Sequence, residues 1–171
     1  MSTAITMASM STYAILGCGS VGHVVAEELE EEGKDVLIID MDEGRVEALR
    51  DQDMDARTAD IRDASVADAV SDRDVILILS SDVAANEAAV ENIRKRGGEQ
   101  FIVARASDPV SADDLSDMGA DVVINPSAVI ADSALRALET GELEFKTSKL
   151  AEVLDGTGTR LAILTSPSPD P

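Results

Sequence analysis

The chain has 171 residues, 44% of them apolar and 2% aromatic, with 34 acids against 14 bases and a formal net charge of -20. That length supports one compact domain with a buried core and a short addition, while the scarcity of aromatic platforms and the negative charge exclude contact with nucleic acid. A single cysteine, Cys18, excludes an intrachain disulfide and a thiolate metal cluster, and no apolar run of about 18 residues is present to insert in a membrane, so a cytoplasmic protein is expected.

The acids are spread over the helical segments rather than gathered in a tail: Glu27, Glu28, Glu30, Glu31 and Glu32 lie in one, Asp113, Asp114 and Asp117 in another. A whole acidic surface of this kind is expected of a halophilic protein, because molar salt shrinks the Debye length to about 3 Å and screens self-repulsion. Residues 1–12, uncharged and rich in Ser, Thr and Met, read as a disordered leader without the basic start of a signal peptide.

From Tyr13 onward, short apolar runs alternate with longer amphipathic segments. Strands are expected at Tyr13–Leu16, Asp35–Ile39, Asp53–Arg57, Val75–Leu79, Phe101–Ala104 and Asp121–Ile124. Most are continuously hydrophobic, as strands covered on both faces of a parallel sheet must be; Asp53–Arg57 is unusually polar. Between them, Val21, Val24, Val25 and Leu29 fall on one helical face, and Gly33 closes that helix. Further helices are expected at Arg45–Asp51, Ser65–Val70, Asp82–Arg96, Ala112–Met118 and Ser127–Leu138. The alternation specifies an α/β fold, a Rossmann-like doubly wound parallel six-stranded sheet, over residues 13–140. Residues 141–171 break the rhythm and read as a linker and the start of a second domain, with a helix at Phe145–Leu154 and a strand at Arg160–Thr165.

Gly17-Cys18-Gly19-Ser20-Val21-Gly22 follows the first strand and opens the first helix. In a dinucleotide fingerprint the first glycine allows the tight turn, the second lets a pyrophosphate approach the backbone, and the third lets helix and strand pack closely, with the helix N-terminus facing the phosphates. The second strand runs into Asp40, 18 residues beyond Gly22, where an acid accepts hydrogen bonds from an adenosine ribose. Asp40 and Asp42 disfavour a ribose 2′-phosphate, which favours NAD or an adenine mononucleotide over NADP.

With those motifs in place, the sequence resembles the nucleotide-binding domain of the regulator-of-potassium-conductance family (RCK, or KTN, the Trk-type N-terminal domain) from about Tyr13 to Leu138. Ala59-Asp60-Ile61-Arg62-Asp63 stands where that family has Gly-Asp-Ala-Thr-Asp, lacking the glycine. Ser80-Ser81-Asp82-Val83-Ala84-Ala85-Asn86 stands at its Thr-x-Asp-Asp-x-x-Asn, Val103-Ala104-Arg105 supplies its strand-ending arginine, and Gly119-Ala120-Asp121-Val122-Val123-Ile124-Asn125-Pro126 matches closely. The resemblance implies Asp40 on the adenosine ribose, Asp60 near the adenine and Arg105 on the phosphate side. The implied cofactor set is Gly17, Gly19, Ser20, Val21, Gly22, Asp40, Met41, Asp60, Ile61 and Arg105, for NAD or NADH, alternatively ATP, ADP or AMP. Residue chemistry leaves alternatives open: Asp60 as a helix cap, Arg105 as a partner of surface acids, Asn86 as a helix-start or dimer-contact residue.

The resemblance further implies association in pairs, for which Val129, Ile130, Ala134, Leu135 and Leu138 offer an apolar stripe that could equally be spent on the sheet. It also implies a potassium transporter subunit as effector. Arg160–Pro171 resembles instead the start of a DHH-type phosphoesterase domain, with Asp170 as its first metal-binding aspartate. No catalytic set emerges: His23 is the only histidine, Cys18 reads as a small filler, and Ser20, Ser80 and Ser81 have no triad partners. A regulatory nucleotide sensor is therefore expected rather than an enzyme, the alternative being the cofactor half of an NAD-dependent oxidoreductase whose substrate domain is missing.

Overall fold

Apolar residues on both faces of a strand require cover on both sides, and the chain supplies it by winding helices alternately across one sheet. The computed structural model describes residues 11–140. Its strands are β1 (Thr12–Leu16), β2 (Asp35–Asp40), β3 (Asp55–Thr58), β4 (Val75–Ile78), β5 (Phe101–Arg105) and β6 (Val122–Ile124). The helices are α1 (Ser20–Glu31), α2 (Glu43–Arg50), α3 (Ala64–Ala69), α4 (Val83–Lys95), α5 (Pro109–Asp117) and α6 (Pro126–Thr140). The sheet order is β3-β2-β1-β4-β5-β6, every neighbouring pair parallel. The chain thus winds from β1 outward to β3, then restarts on the other side of β1, which opens a crevice where the strands β1 and β4 end.

The continuous apolar runs resolve into two cores. Ala14, Leu16, Leu37 and Ile39 pack on the face that also holds Val66, Val90 and Ile93, whereas Ile15, Val36 and Ile38 pack on the face with Ala26, Val46 and Leu49. Consecutive residues of one strand therefore serve opposite layers.

Several boundaries shift from the sequence expectation. β1 includes Thr12, paired with Asp35, which removes that residue from the leader. β3 starts at Asp55, because Asp53 takes a positive φ of 63° in the preceding turn. The six-stranded unit ends at Asn125 and is followed by α6. Described by itself, α6 opens on a proline, which cannot donate into the preceding chain, and carries an Arg136–Asp132 pair at 2.9 Å. The expected helix at Phe145–Leu154, the strand at Arg160–Thr165 and Asp170 lie outside the described residues.

Candidate functional site

Helix starts differ in one respect that sorts them by role. An exposed or buried helix N-terminus leaves N–H groups without intrahelical acceptors. Four helices solve this with an aspartate: Asp42, Asp63, Asp82 and Asp108 each accept a bond from a first-turn N–H of α2, α3, α4 and α5. Helix α1 does not. Its N-cap is Gly19, without a side-chain cap and without an acidic residue in its first turn. In so acidic a chain, the one carboxylate-free start among these five is the one that follows the glycine loop.

The loop glycines have separate jobs. Gly17 has φ 87°, and a Cβ there would stand 2.7 Å from the Ser80 backbone nitrogen, so β1 can turn beneath the β4–α4 connection only without a side chain. At Gly22 a Cβ would collide with the Gly17 carbonyl oxygen; α1 and the loop touch directly. Gly19 faces nothing within 4 Å. Its open side is where a pyrophosphate could reach backbone N–H groups.

Asp40 is the one buried carboxylate among the described residues, 3% exposed. Oδ2 accepts the Cys18 N–H at 2.6 Å and Oδ1 accepts the Asp42 N–H at 2.8 Å. The end of β2 is thereby tied to the glycine loop. Oδ1 keeps a lone pair for a further donor, whereas a second donor to Oδ2 is already in place. The Arg45 Nη1 lies 3.4 Å from Oδ2.

A cleft of about 470 Å³ runs along the C-terminal ends of β1–β4, lined among others by Gly17, Asp40, Met41, Asp60, Ile61 and Ser80–Asp82. Met41 is 66% exposed at the mouth of this cleft. Asp60 is not a helix cap, since Asp63 holds that position by accepting the Ser65 N–H at 3.0 Å. Asp60 pairs instead with Arg62 at 2.7 Å, and that hydrogen-bonded guanidinium holds its carboxyl below the ordinary value. A smaller cleft of about 280 Å³ lies behind the loop, lined by Cys18, Gly19, Ser20 and His23 with Arg45 between the two. Burial and the neighbouring Asp40 push the Cys18 thiol up to about 11, which leaves it protonated and inert at neutral pH.

Other expected residues fall elsewhere. Val21 packs against the core under α1, and Gly22 sits below the loop. Arg105 ends β5, one strand beyond β4, and does not line the cleft that holds Asp40. The sequence reasoning missed Arg45 and Arg62. Both had a signal: Arg45 is three residues after the cap Asp42, so the first helical turn brings it back over the strand end, and Arg62 stands two after Asp60 in a turn. A larger cleft of about 830 Å³, lined by Arg73, Asp74 and Gln100, opens at the other end of the strands; ligands of open α/β sheets bind at the carboxyl ends.

Residues 13–126 match the model of the TrkA-N domain family. The chain is 32% identical over 117 residues to the Ktr system potassium uptake protein A of Vibrio alginolyticus, covering 67% of this chain and 53% of that one. It is 30% identical over 199 residues to potassium channel protein 1 of Methanocaldococcus jannaschii, covering 92% and 59%. The chain thus spans between half and two thirds of these relatives. Among solved structures, the NAD(P)-binding domain of an exopolyphosphatase-related protein from Archaeoglobus fulgidus superposes with TM-score 0.68 at 24% identity, covering 75% of this chain and 98% of that one. The GsuK channel bound to NAD gives 0.64 at 19%, covering 73% and 23%. The same fold occurs in GsuK bound to ADP, at 0.66, and in the Kef C-terminal domain of Shewanella denitrificans bound to AMP, at 0.62.

Proposed function

The chain belongs to the TrkA-N domain family, and from that premise we propose that it is a regulatory domain whose glycine-loop cleft binds an adenine nucleotide, NAD(H) first and ATP, ADP or AMP as alternatives. The observation that carries this reading is the bare start of α1: its N–H groups meet no side-chain cap and no first-turn carboxylate, Gly19 is open, and the buried Asp40 stands beside them. A phosphate supplies the missing acceptor and complements the helix dipole. Arg45 and Arg62 offset the carboxylates that would otherwise repel it.

In this reading Asp40 accepts the ribose hydroxyls, Met41 and Ile61 flank the base, and Gly19 and Ser20 offer N–H groups to the phosphates. Nucleotide occupancy is passed to an effector. The curated relatives are potassium uptake and channel proteins, which supports a potassium transporter subunit at the cytoplasmic side; the exopolyphosphatase-related neighbour supports a DHH-type phosphoesterase. A two-fold homodimer through α6 completes the proposal, resting on exposed Val129, Ile130, Leu135 and Leu138.

The test is a calorimetric panel of NAD, NADH, ATP, ADP and AMP at molar KCl on the wild type and on Gly19→Ala. A methyl group enters open space at Gly19, so stability should change by about 1 kcal/mol or less, the difference between Gly and Ala at an N-cap, while binding is lost. Nucleotides that bind Gly19→Ala as they bind wild type would place the site elsewhere. Light scattering at tens of micromolar tests the dimer, and the mass of a single chain would refute it.

A further inference from the structure

Arg45 stands between two clefts of opposite character. It lines the cleft of about 470 Å³ that holds Asp40, and also the cleft of about 280 Å³ that holds Gly19 and Ser20; no other residue belongs to both linings. The first sets four aspartates, Asp40, Asp42, Asp60 and Asp82, against Arg45 and Arg62. The second has no carboxylate in its lining, in a chain with 34 acids. Of its other polar side chains, His23 meets Glu27 Oε1 at 3.2 Å through Nε2, and the Gln52 amide donates to the Ala48 carbonyl at 3.1 Å. Arg45 is the one permanent cation there. A phosphate is repelled by the first lining and attracted by the second.

The hold of Arg45 on Asp40 is weak, and it stands in the way of a ribose. Nη1 lies 3.4 Å from Oδ2, on a side chain 53% exposed, a long and solvated contact. It is still the second donor on that oxygen, after the Cys18 N–H. Oδ1 holds the Asp42 N–H and has one lone pair left. A ribose brings two adjacent hydroxyls, so the second reaches Asp40 only if Arg45 releases Oδ2. We propose that Arg45 is the residue through which the site reads phosphate: the ribose displaces its guanidinium from Asp40, and the guanidinium turns to the nucleotide phosphate beside Gly19 and Ser20, in the cleft it already lines. The inference rests on the nucleotide reading above. For Arg45 the exchange replaces one long contact by a charge-assisted, bidentate one. Adenosine displaces Arg45 and offers it no acceptor in return. Arg45 therefore favours AMP and NAD and opposes the bare nucleoside.

The experiment measures the affinities of wild type, Arg45→Ala and Arg45→Lys for adenosine, AMP and NAD at one KCl concentration, by calorimetry or, where binding is weak, by NMR titration. Arg45 is an exposed helical residue whose bond to the cap Asp42 uses its backbone N–H, so both variants keep α2. Arg45→Ala should lose about tenfold or more in affinity for AMP and NAD and bind adenosine as well as wild type does, or better. Arg45→Lys, a point charge without the fork, should fall between the two. Equal losses for adenosine and AMP would overturn the proposal, because Arg45 would then act on the nucleoside; so would unchanged AMP affinity. Should adenosine binding escape both methods, a crystal structure of the wild type with AMP decides: a guanidinium on the phosphate supports the exchange, and one still on Asp40 overturns it. A wild type that binds neither AMP nor NAD removes the nucleotide reading itself, an outcome distinct from a wild type that binds them and an Arg45→Ala that binds them equally well.

Discussion

Asp40→Asn separates the two duties of the buried carboxylate. The side chain receives the Cys18 N–H at 2.6 Å on one oxygen and the Asp42 N–H at 2.8 Å on the other. An amide of the same shape has one acceptor oxygen, so whichever way it turns, one backbone N–H faces an NH2 group. A hydrogen bond to a charged group contributes about 1.5–3 kcal/mol, and a stranded buried donor costs about 1–3 kcal/mol. Relief from burying a charge offsets part of this, so a net destabilisation of about 3 kcal/mol is expected, a fall in Tm of roughly 6–12 °C for a chain of this size. Binding should suffer separately. Only one strong acceptor remains for two ribose hydroxyls, and affinity for NAD or AMP should fall by about tenfold or more. Thermal denaturation without nucleotide measures the first effect, and calorimetry well below the lowered Tm measures the second. A variant that melts within about 1 °C of wild type, where the latch argument demands several degrees, would show that the two backbone contacts do not hold the loop. Unchanged affinity would remove Asp40 from the site.

Gly22→Ala places a methyl group against the Gly17 carbonyl, and overpacking of this kind should cost about 3 kcal/mol and distort the loop; a Tm equal to that of wild type would contradict the contact. Asp108 accepts the Ser111 N–H at 2.8 Å, and this bond, helped by the Ser107 hydroxyl, holds its carboxyl below the ordinary value of 3.8. A lowered folded value stabilises the protein above the ordinary value and ceases to as pH falls through the lowered one. Asp108→Asn keeps a cap that does not titrate, so its stability relative to wild type should rise between about pH 5 and about pH 2; a constant difference in urea midpoints would refute the assignment. Raising KCl from about 0.1 M to about 2 M should raise Tm by screening the 34 acids, and a flat or falling Tm would defeat the halophile reading.

The sheet was legible because its signal is redundant: β1, β2 and β4 are apolar at consecutive positions, and only cover on two faces accommodates that. β3 was the hard strand, since it carries one buried residue, Ala56, among exposed ones, and an edge strand needs little else. Gly119-Ala120-Asp121 was readable as a family mark but not as a joint. Gly119 has φ 110°, its carbonyl accepts the Arg94 Nε at 2.9 Å, and Asp121 accepts the Ile102 N–H at 2.7 Å. In the site, the glycines and Asp40 follow a fixed spacing along the chain, which a sequence displays directly. Asn86, Arg45 and Arg62 act through contacts made across turns and between strand ends. Their partners are backbone carbonyls or acids whose places depend on the finished fold, so local spacing singles out the residues but not what they touch.

Aspartates at four helix starts divide the acidic surface into charge that can be surrendered and charge that cannot. Each of Asp42, Asp63, Asp82 and Asp108 accepts a backbone bond at the positive end of a helix, where negative charge is favourable and the capping hydrogen bond remains when salt screens the dipole. Glu31, at the other end of α1, has no such acceptor role at a helix start. A re-engineered version meant for dilute buffers should therefore keep all four capping aspartates and begin its replacements at exposed Glu31. Substituting by solvent exposure alone would strip the caps together with the surplus, trading one source of instability for another.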